Sequence, residues 1–315
     1  MNEPAGLLHS KALPPFAALR AFEVFGRVGS IRKAAANLNL HHAVVSRHVR
    51  ALEDWLGAAL VERADGRLSL TETGAVYHQR VSQALVEIAS ATASVTASPH
   101  QREARLWCIP GLAAQWLSER LTAFERAHPK FAIELRPTDR CADLLMHEAD
   151  IDVRYYVDGW PPSPGGKSLR AIELARPPVM AVASPALAAE LNAASNARAL
   201  LDAPLLHEEH DEQWRVWLRL NGVERHDRLP GALLWHAHIA IGAARQGRGV
   251  ALANQYLVAR DLAEGSLVNV APAGVRAVVL GGYYFVARED RWTLPVIATL
   301  RNFLLEEARL MPGGD

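Results

Sequence analysis

The stretch Val28–Gly57, VGSIRKAAANLNLHHAVVSRHVRALEDWLG, constrains the fold of this chain more than any other part of it. It holds two helical patterns parted by a break too short for a loop. Ser30 can N-cap the first, from about Ile31 to Leu38, because its hydroxyl accepts an otherwise orphaned backbone N–H. The second runs from about His42 to Leu56, and Gly57 can take the left-handed turn that ends it. Val45, Val49, Leu52 and Leu56 follow a 4-3-4 spacing and share one buried face. Ala43, Ser46, Arg47 and Arg50 stand together on the opposite side. From Arg32 to Arg50 there are four Lys or Arg and no acid. Two helices, a short turn and a basic outer face describe a helix-turn-helix. The bland alternative is a solvated helical hairpin. Against it stands Ala34-Ala35-Ala36, where small side chains let a second helix cross closely and tilt the recognition helix outward.

Around this stretch, further residues carry a resemblance. They are Leu19-Arg20-Ala21-Phe22, the Ala34-Ala35 pair, Val45-Ser46-Arg47 followed by Leu52-Glu53, Leu56-Gly57, the segment Leu60 to Arg63, and Leu70-Thr71-Glu72-Thr73-Gly74. In this order they resemble the DNA-binding domain of LysR-type transcriptional regulators. The likeness continues along the rest of the chain, most closely with the glycine-cleavage-activator-like subgroup. The resemblance implies an α/β multidomain protein: an N-terminal winged helix-turn-helix, a long linker helix and a C-terminal two-lobed periplasmic-binding-protein-like effector domain. The corresponding division is a flexible extension over 1–14, the DNA-binding domain over 15–70, the linker and dimerisation helix over 71–98, and the effector domain over 102–310. Lobe I would take 102–178 and 282–310, and lobe II 179–281.

Length and charge agree with that division. At 315 residues the chain can form two or more domains, each with its own core. The formal net charge is zero, so no global field attracts nucleic acid. Residues 1–98 nevertheless carry ten Lys/Arg and eight Asp/Glu, against twenty-four and twenty-six in the remainder. A slightly basic head on a near-neutral body suits a DNA reader with a separate ligand-binding part. Cys108 and Cys141 stand alone without a CxxC, so no disulfide and a reducing cytoplasm are expected. No run of about 18 apolar residues exists and the N-terminus lacks a signal-like apolar core, so no membrane association is expected.

In chain order, Phe16 to Val28 reads as the first helix, with Leu19, Phe22 and Phe25 or Val24 inward. Leu60-Val61 and Leu68-Ser69-Leu70 read as two short strands about an Asp65-Gly66 turn, forming the wing. Thr71 to about Ala97 is a long helix with more apolar residues than a lone surface helix needs, and Ser98-Pro99-His100 ends it. From Arg105 strands and helices alternate, which reads as α/β with a mostly parallel sheet. The strands are Leu106–Ile109, the Phe131/Ile133/Leu135 alternation, Ile151–Val157, Val179–Ala183, Val250–Ala253 and Tyr283–Val286. The helices are Leu112–Ala127, Ala142–Glu148, Ala237–Gln246 and Leu294–Ala308.

For the DNA, affinity comes from phosphate neutralisation and specificity from base edges. Arg32, Ser46, Arg50, Arg63 and Arg67 are the candidates for phosphates, with ordinary exposed surface as the alternative for the last two. His42, Ala43 and Arg47 are the candidates for base edges, since Arg can grip guanine O6 and N7 and Ala can touch a thymine methyl. Where family members often carry Gln, this chain has His42, and an imidazole cannot make the two-bond contact of Gln with adenine. His41 reads either as a DNA contact or, preferably, as a turn residue. A dimeric reader implies double-stranded DNA with an interrupted inverted-repeat operator. The resemblance further implies dimers through the linker helix, paired into a tetramer.

In two-lobed α/β folds ligands sit in the crevice beyond strand C-termini. By position the candidates for a small-molecule effector are Gly111, Leu112, Ala113, Thr138, Asp139, Arg154, Trp235 and His236. Gly111 stands where relatives commonly carry Ser or Thr, so a hydroxyl is missing from the familiar carboxylate-binding mode. Trp235 and His236 suggest an aromatic or larger ligand, or mere packing. Arg154 is either a ligand's counter-charge or the ion-pair partner of Asp152. An enzymatic reading rests on His207-Glu208-Glu209-His210 as a metal-dependent hydrolase cluster, but its histidines lie at i and i+3 rather than the i, i+4 of helical HExxH. There is no GxSxG, P-loop or dinucleotide fingerprint, so neither catalysis nor a cofactor is expected. A solute-binding protein would need a secretion signal and no helix-turn-helix. A regulator without any small-molecule effector stays open.

Overall fold

The computed structural model describes residues 13–64, 67–96, 102–157, 168–191 and 196–311. The chain divides into two compact units, Met1–Ser98 and Pro99–Asp315. Most of the expected extension over 1–14, the Asp65-Gly66 turn and the Ser98-Pro99-His100 hinge lie outside the described residues.

The first unit runs α1 (Phe16–Val28), α2 (Ile31–Leu38), α3 (His42–Leu56), β1 (Val61–Ala64), β2 (Arg67–Leu70) and α4 (Glu72–Thr96). Each boundary has a local cause. The Ser30 hydroxyl accepts from the Lys33 N–H at 3.5 Å at the start of α2. Asn39, at φ 53°, takes the left-handed turn that ends α2. His41 caps α3, its Nδ1 accepting from the Ala43 N–H at 3.4 Å, which gives the imidazole a turn role. Gly57 closes α3 at φ 65°. Phe22, Phe25, Ala34, Val45, Leu52 and Leu60 form the core, with Leu19 and Leu56 half-buried against it. Ala34 and Ala35 are the small residues at the helix crossing, whereas Ala36 is exposed. β1 and β2 pair antiparallel from Val61↔Leu70 to Ala64↔Arg67. On α4, Val81 and Leu85 are buried, while Val76 and Ile88 face solvent at 58% and 51% exposure.

The second unit continues with β3 (Glu103–Cys108), α5 (Pro110–Leu112), a π turn (Ala113–Leu117), α6 (Ser118–Ala127), β4 (Ala132–Pro137), β5 (Ile151–Val157), β6 (Leu169–Ala175), β7 (Val179–Ala183) and α7 (Pro185–Glu190). A 3-10 turn (Ala197–Asp202) leads to β8 (Leu205–His207), α8 (Glu212–Leu220), β9 (Gly231–Leu233), α9 (Ala237–Arg245), β10 (Val250–Asn254), α10 (Gln255–Glu264) and β11 (Val268–Asn269). The chain returns through β12 (Gly281–Arg288) and ends on α11 (Pro295–Arg309).

These strands form two five-stranded sheets, ordered β4-β3-β5-β12-β6 and β11-β7-β10-β8-β9. Each sheet is mixed, with two parallel and two antiparallel pairings, not mostly parallel. Parallel pairs arise where a helix carries the chain back, as α5–α6 does between β3 and β4 and α8 between β8 and β9. β12 returns from the far lobe and inserts between β5 and β6, antiparallel to both. Every residue of β12 is buried, which explains its nearly continuous apolar and aromatic run.

Residues 142–148, expected to be helical, form turns. Their side chains compete for the backbone: Asp143 Oδ1 accepts from the Met146 N–H at 3.1 Å, and Glu148 Oε2 from the Asp143 N–H at 2.9 Å. His147 then turns left-handed at φ 58°. The two lobes share one apolar cluster. Across them the Tyr256 hydroxyl donates to the Ala308 carbonyl at 2.8 Å, and Asn254 Nδ2 donates to the Tyr283 hydroxyl at 2.9 Å. Cys108 is buried and Cys141 exposed, and both are free thiols. No helix among the described residues is long and apolar enough to cross a membrane.

Candidate nucleic-acid interface and ligand cleft

Burying Val45, Val49 and Leu52 leaves the other side of α3 to solvent. His42, Ala43, Arg47 and Arg50 are exposed there and Ser46 half-exposed, so one helix face carries the predicted base-reading residues and two of the predicted phosphate contacts. Arg32, at the exposed start of α2, and Arg63, exposed on β1, complete the basic surface. Arg67 opens β2 opposite Ala64, and its side chain lies outside the described residues.

A residue the sequence reading missed holds the wing in place. Glu53 Oε1, on the last turn of α3, accepts from the N–H groups of Leu60 and Val61 at 2.8 and 3.0 Å. The carboxylate thereby anchors the strand leading into the wing to the recognition helix. At the far side, His78 of α4 lies 2.8 Å from the Glu23 carbonyl of α1 through its Nε2.

In the second unit a cavity of about 390 Å³ opens between the lobes, beyond the C-terminal ends of β3, β8 and β9. Of the eight residues expected there, Gly111, Leu112, Asp139, Trp235 and His236 line it. Ala113, Thr138 and Arg154 are not among its lining residues. Ala113 is turned into the core at 2% exposure. The Thr138 hydroxyl accepts from the Arg140 N–H at 3.2 Å. Arg154 is 4% exposed and donates through Nε to both Asp152 oxygens, at 3.0 and 3.1 Å, and through Nη1 to the Asp139 carbonyl at 2.8 Å. The guanidinium therefore fixes the loop that presents Asp139, and the ion-pair alternative is the one the fold adopts.

Tyr155, Glu208, Glu209, His210, Gln213, Asn254 and Tyr283 also line the cavity. Glu208, Glu209 and His210 belong to the supposed metal cluster, whose first histidine is His207. His207 is separated from them, buried in β8 with Nε2 3.2 Å from the Pro230 carbonyl. Among the described residues no group of three or more His, Cys, Asp or Glu is placed to hold a metal ion.

Burial pushes the Glu208 carboxyl above its usual range, although Gln213 hydrogen-bonds it and His236 and His210 stand near it. Burial likewise raises the Tyr155 and Tyr283 hydroxyls far above the ordinary phenol value, keeping both protonated. The buried Tyr155 hydroxyl has no hydrogen-bond partner among the described residues. Across the cleft His236 Nδ1 stands 3.6 Å from Asp139 Oδ1. Trp235 is 63% exposed and left-handed at φ 63°, an uncommon conformation for a bulky residue.

The two units match known families separately. Residues 16–75 match the family described as bacterial regulatory helix-turn-helix protein, lysR family, and residues 97–309 match the LysR substrate binding domain. The chain belongs to the LysR family of transcriptional regulators. It is similar to the glycine cleavage system transcriptional activator of Escherichia coli (strain K12), 29% identical over 95% of each chain. It is also similar to the HTH-type transcriptional regulator PerR of the same strain, 30% identical over 95% of this chain and 97% of that one. Among solved structures its fold is similar to CrgA, a LysR-type transcriptional regulator from Neisseria meningitidis. That likeness has a TM-score of 0.56 and 23% identity, and covers 93% of this chain and 98% of CrgA. As in the LysR family at large, a helix-turn-helix and an effector-binding domain share one chain.

Within this LysR-family chain, Gly111 shows why a small residue is used at the cleft. A β-carbon placed there would lie 3.3 Å from Ala237 Cβ and 3.8 Å from the His238 nitrogen, across the lobe boundary. Glycine lets the turn after β3 approach the start of α9, and a β-carbon there would require Ala237 to give by a few tenths of an ångström.

Proposed function

We propose that this regulator reads a specific operator through α3 and answers to a small molecule held between the lobes of its second unit. The observation that carries the reading is the exposed face of α3, where His42, Ala43, Arg47 and Arg50 stand opposite the buried Val45, Val49 and Leu52. Arg47 contacts a guanine edge and Ala43 a thymine methyl, while Arg32, Ser46, Arg50, Arg63 and Arg67 meet phosphates. Operator reading is assigned to residues 15–70, self-association to the linker helix over 71–98 and effector binding to 102–310. The exposed Val76 and Ile88 on α4 support pairing through that helix. Two heads related by a two-fold axis require an interrupted inverted repeat, with half-sites a whole number of helical turns apart. Dimers pair into tetramers on the DNA, in the cytoplasm.

The test is binding to the DNA upstream of the protein's own gene, at fixed salt, beside Arg47→Ala. Sequence-selective binding by the parent, with about 1–3 kcal/mol of discrimination lost at one base position in the variant, is expected. Equal, salt-sensitive binding of both proteins to any DNA removes Arg47 as a base reader.

A further inference from the structure

We propose that the inter-lobe cleft takes a cationic ligand, an amine or guanidinium compound with an apolar or aromatic body, rather than a carboxylate. This rests on the reading of the cleft as the effector site. Its lining supplies three carboxylates, Asp139, Glu208 and Glu209, and among the described lining residues no Lys or Arg. Of the guanidiniums close by, Arg154 is locked onto Asp152 at 3.0 Å, and Arg176 is a half-exposed side chain 3.8 Å from Glu173 that is not among the lining residues.

A carboxylate removed from water without a counter-charge is costly, and it either finds a cation or takes up a proton. Glu208 shows that tension. Its neighbouring imidazoles, His236 and His210, offset the burial only in part, and its carboxyl stays above the ordinary range. A ligand ammonium would supply a permanent counter-charge where the lining offers Glu208 a Gln213 hydrogen bond and two imidazoles. Tyr155 and Tyr283 line the same wall, and Tyr155 is close enough to feel the Glu208 charge. Their rings suit the body of such a ligand or the face of its cation. The partnerless Tyr155 hydroxyl oxygen can accept from an ammonium N–H.

The start of α9 is the feature that would favour an anion. Gly111 covers part of that end, since a β-carbon on it would lie 3.3 Å from Ala237 Cβ, while His236 and Ala237 still line the cavity. Gly111 also brings no hydroxyl to hold a carboxylate. The volume of about 390 Å³ falls within the range of small-molecule sites.

Three probes of matched shape decide the matter: phenethylamine, 2-phenylethanol and 3-phenylpropionate, titrated calorimetrically into the full-length protein. Phenethylamine is expected to bind about tenfold or more tightly than either of the others. Glu208→Gln should weaken the amine by about tenfold or more and leave the alcohol unchanged, and Glu209→Gln should weaken the amine less. Tighter binding of the propionate or the alcohol, lost in a Trp235→Ala variant, overturns the cationic class but keeps the cleft as a ligand site. Equal binding of all three, or amine binding indifferent to both substitutions, overturns it as well. Silence of all three at millimolar concentration overturns the proposal and removes support from the cleft as an effector site, while operator binding stands on its own assay.

Discussion

Arg154→Gln tests the reading of the buried ion pair most sharply. Arg154 and Asp152 are 4% and 3% exposed, and three of the guanidinium's nitrogens are used: Nε on the carboxylate, Nη1 on the Asp139 carbonyl and Nη2 on the Arg140 carbonyl. Burial raises the Asp152 carboxyl, and Arg154 counters that rise. Removing the guanidinium leaves an uncompensated buried carboxylate, at a cost of about 3–5 kcal/mol. For a unit of this size each kcal/mol moves the melting temperature by about 2–4 °C, so a fall of about 6–20 °C in the effector-unit transition is expected. Asp152→Asn in the same chain should recover part of the loss, because the pair is then neutral together. Calorimetry, which separates the two units' transitions, is the measurement. A loss below about 1 kcal/mol, or strict additivity with Asp152→Asn, would refute the reasoning and return Arg154 to the role of a solvated ligand contact.

Glu53→Ala strips two backbone N–H groups of their acceptor and should cost the first unit about 2 kcal/mol. Calorimetry should show the first unit's transition lowered and the second unit's unchanged. Arg50→Ala should weaken binding equally on all DNA sequences and lower the slope of log K against log salt by about 0.9, as one lost phosphate contact requires. A pH prediction follows from Asp261, whose burial raises its carboxyl but whose hydrogen bonds from Arg245 (Nη2 at 3.0 Å) and Ser266 (2.8 Å) hold it below the usual carboxylate range. A depressed folded value means stability that is fully present above the unfolded carboxylate pKa of about 3.9 and lost as pH falls through the folded value. Asp261→Asn should therefore be destabilised at pH 7, by about 1–3 kcal/mol once the partly exposed Arg245 is discounted for screening, and should converge on the parent in acid. Urea titrations at both pH values would check it, and a constant difference would refute it.

The sequence alone determined whatever depends on near neighbours along the chain. The 4-3-4 spacing of Val45, Val49, Leu52 and Leu56, the Ser30 cap and the Gly57 turn each act within a few residues, so the recognition helix and its exposed basic face were legible before any fold was known. The same locality explains Ile151–Val157 and Val179–Ala183, read to the residue. Residues 142–148 show where locality misleads: a helical pattern lost to side chains, Asp143 and Glu148, that satisfy the backbone differently.

Only the tertiary structure decided what chain separation hides. The β12 strand is antiparallel between β5 and β6 because the chain leaves for the second lobe and comes back, a path no periodicity records. Spacing could not choose between a ligand and Asp152 for Arg154, since the choice turned on burial and on carbonyls fourteen and fifteen residues away. The cleft is the extreme case. Gly111, Tyr155, Glu208, Trp235 and Tyr283 come from five distant segments, and packing of two sheets around a shared core, not sequence proximity, brings their side chains to one cavity.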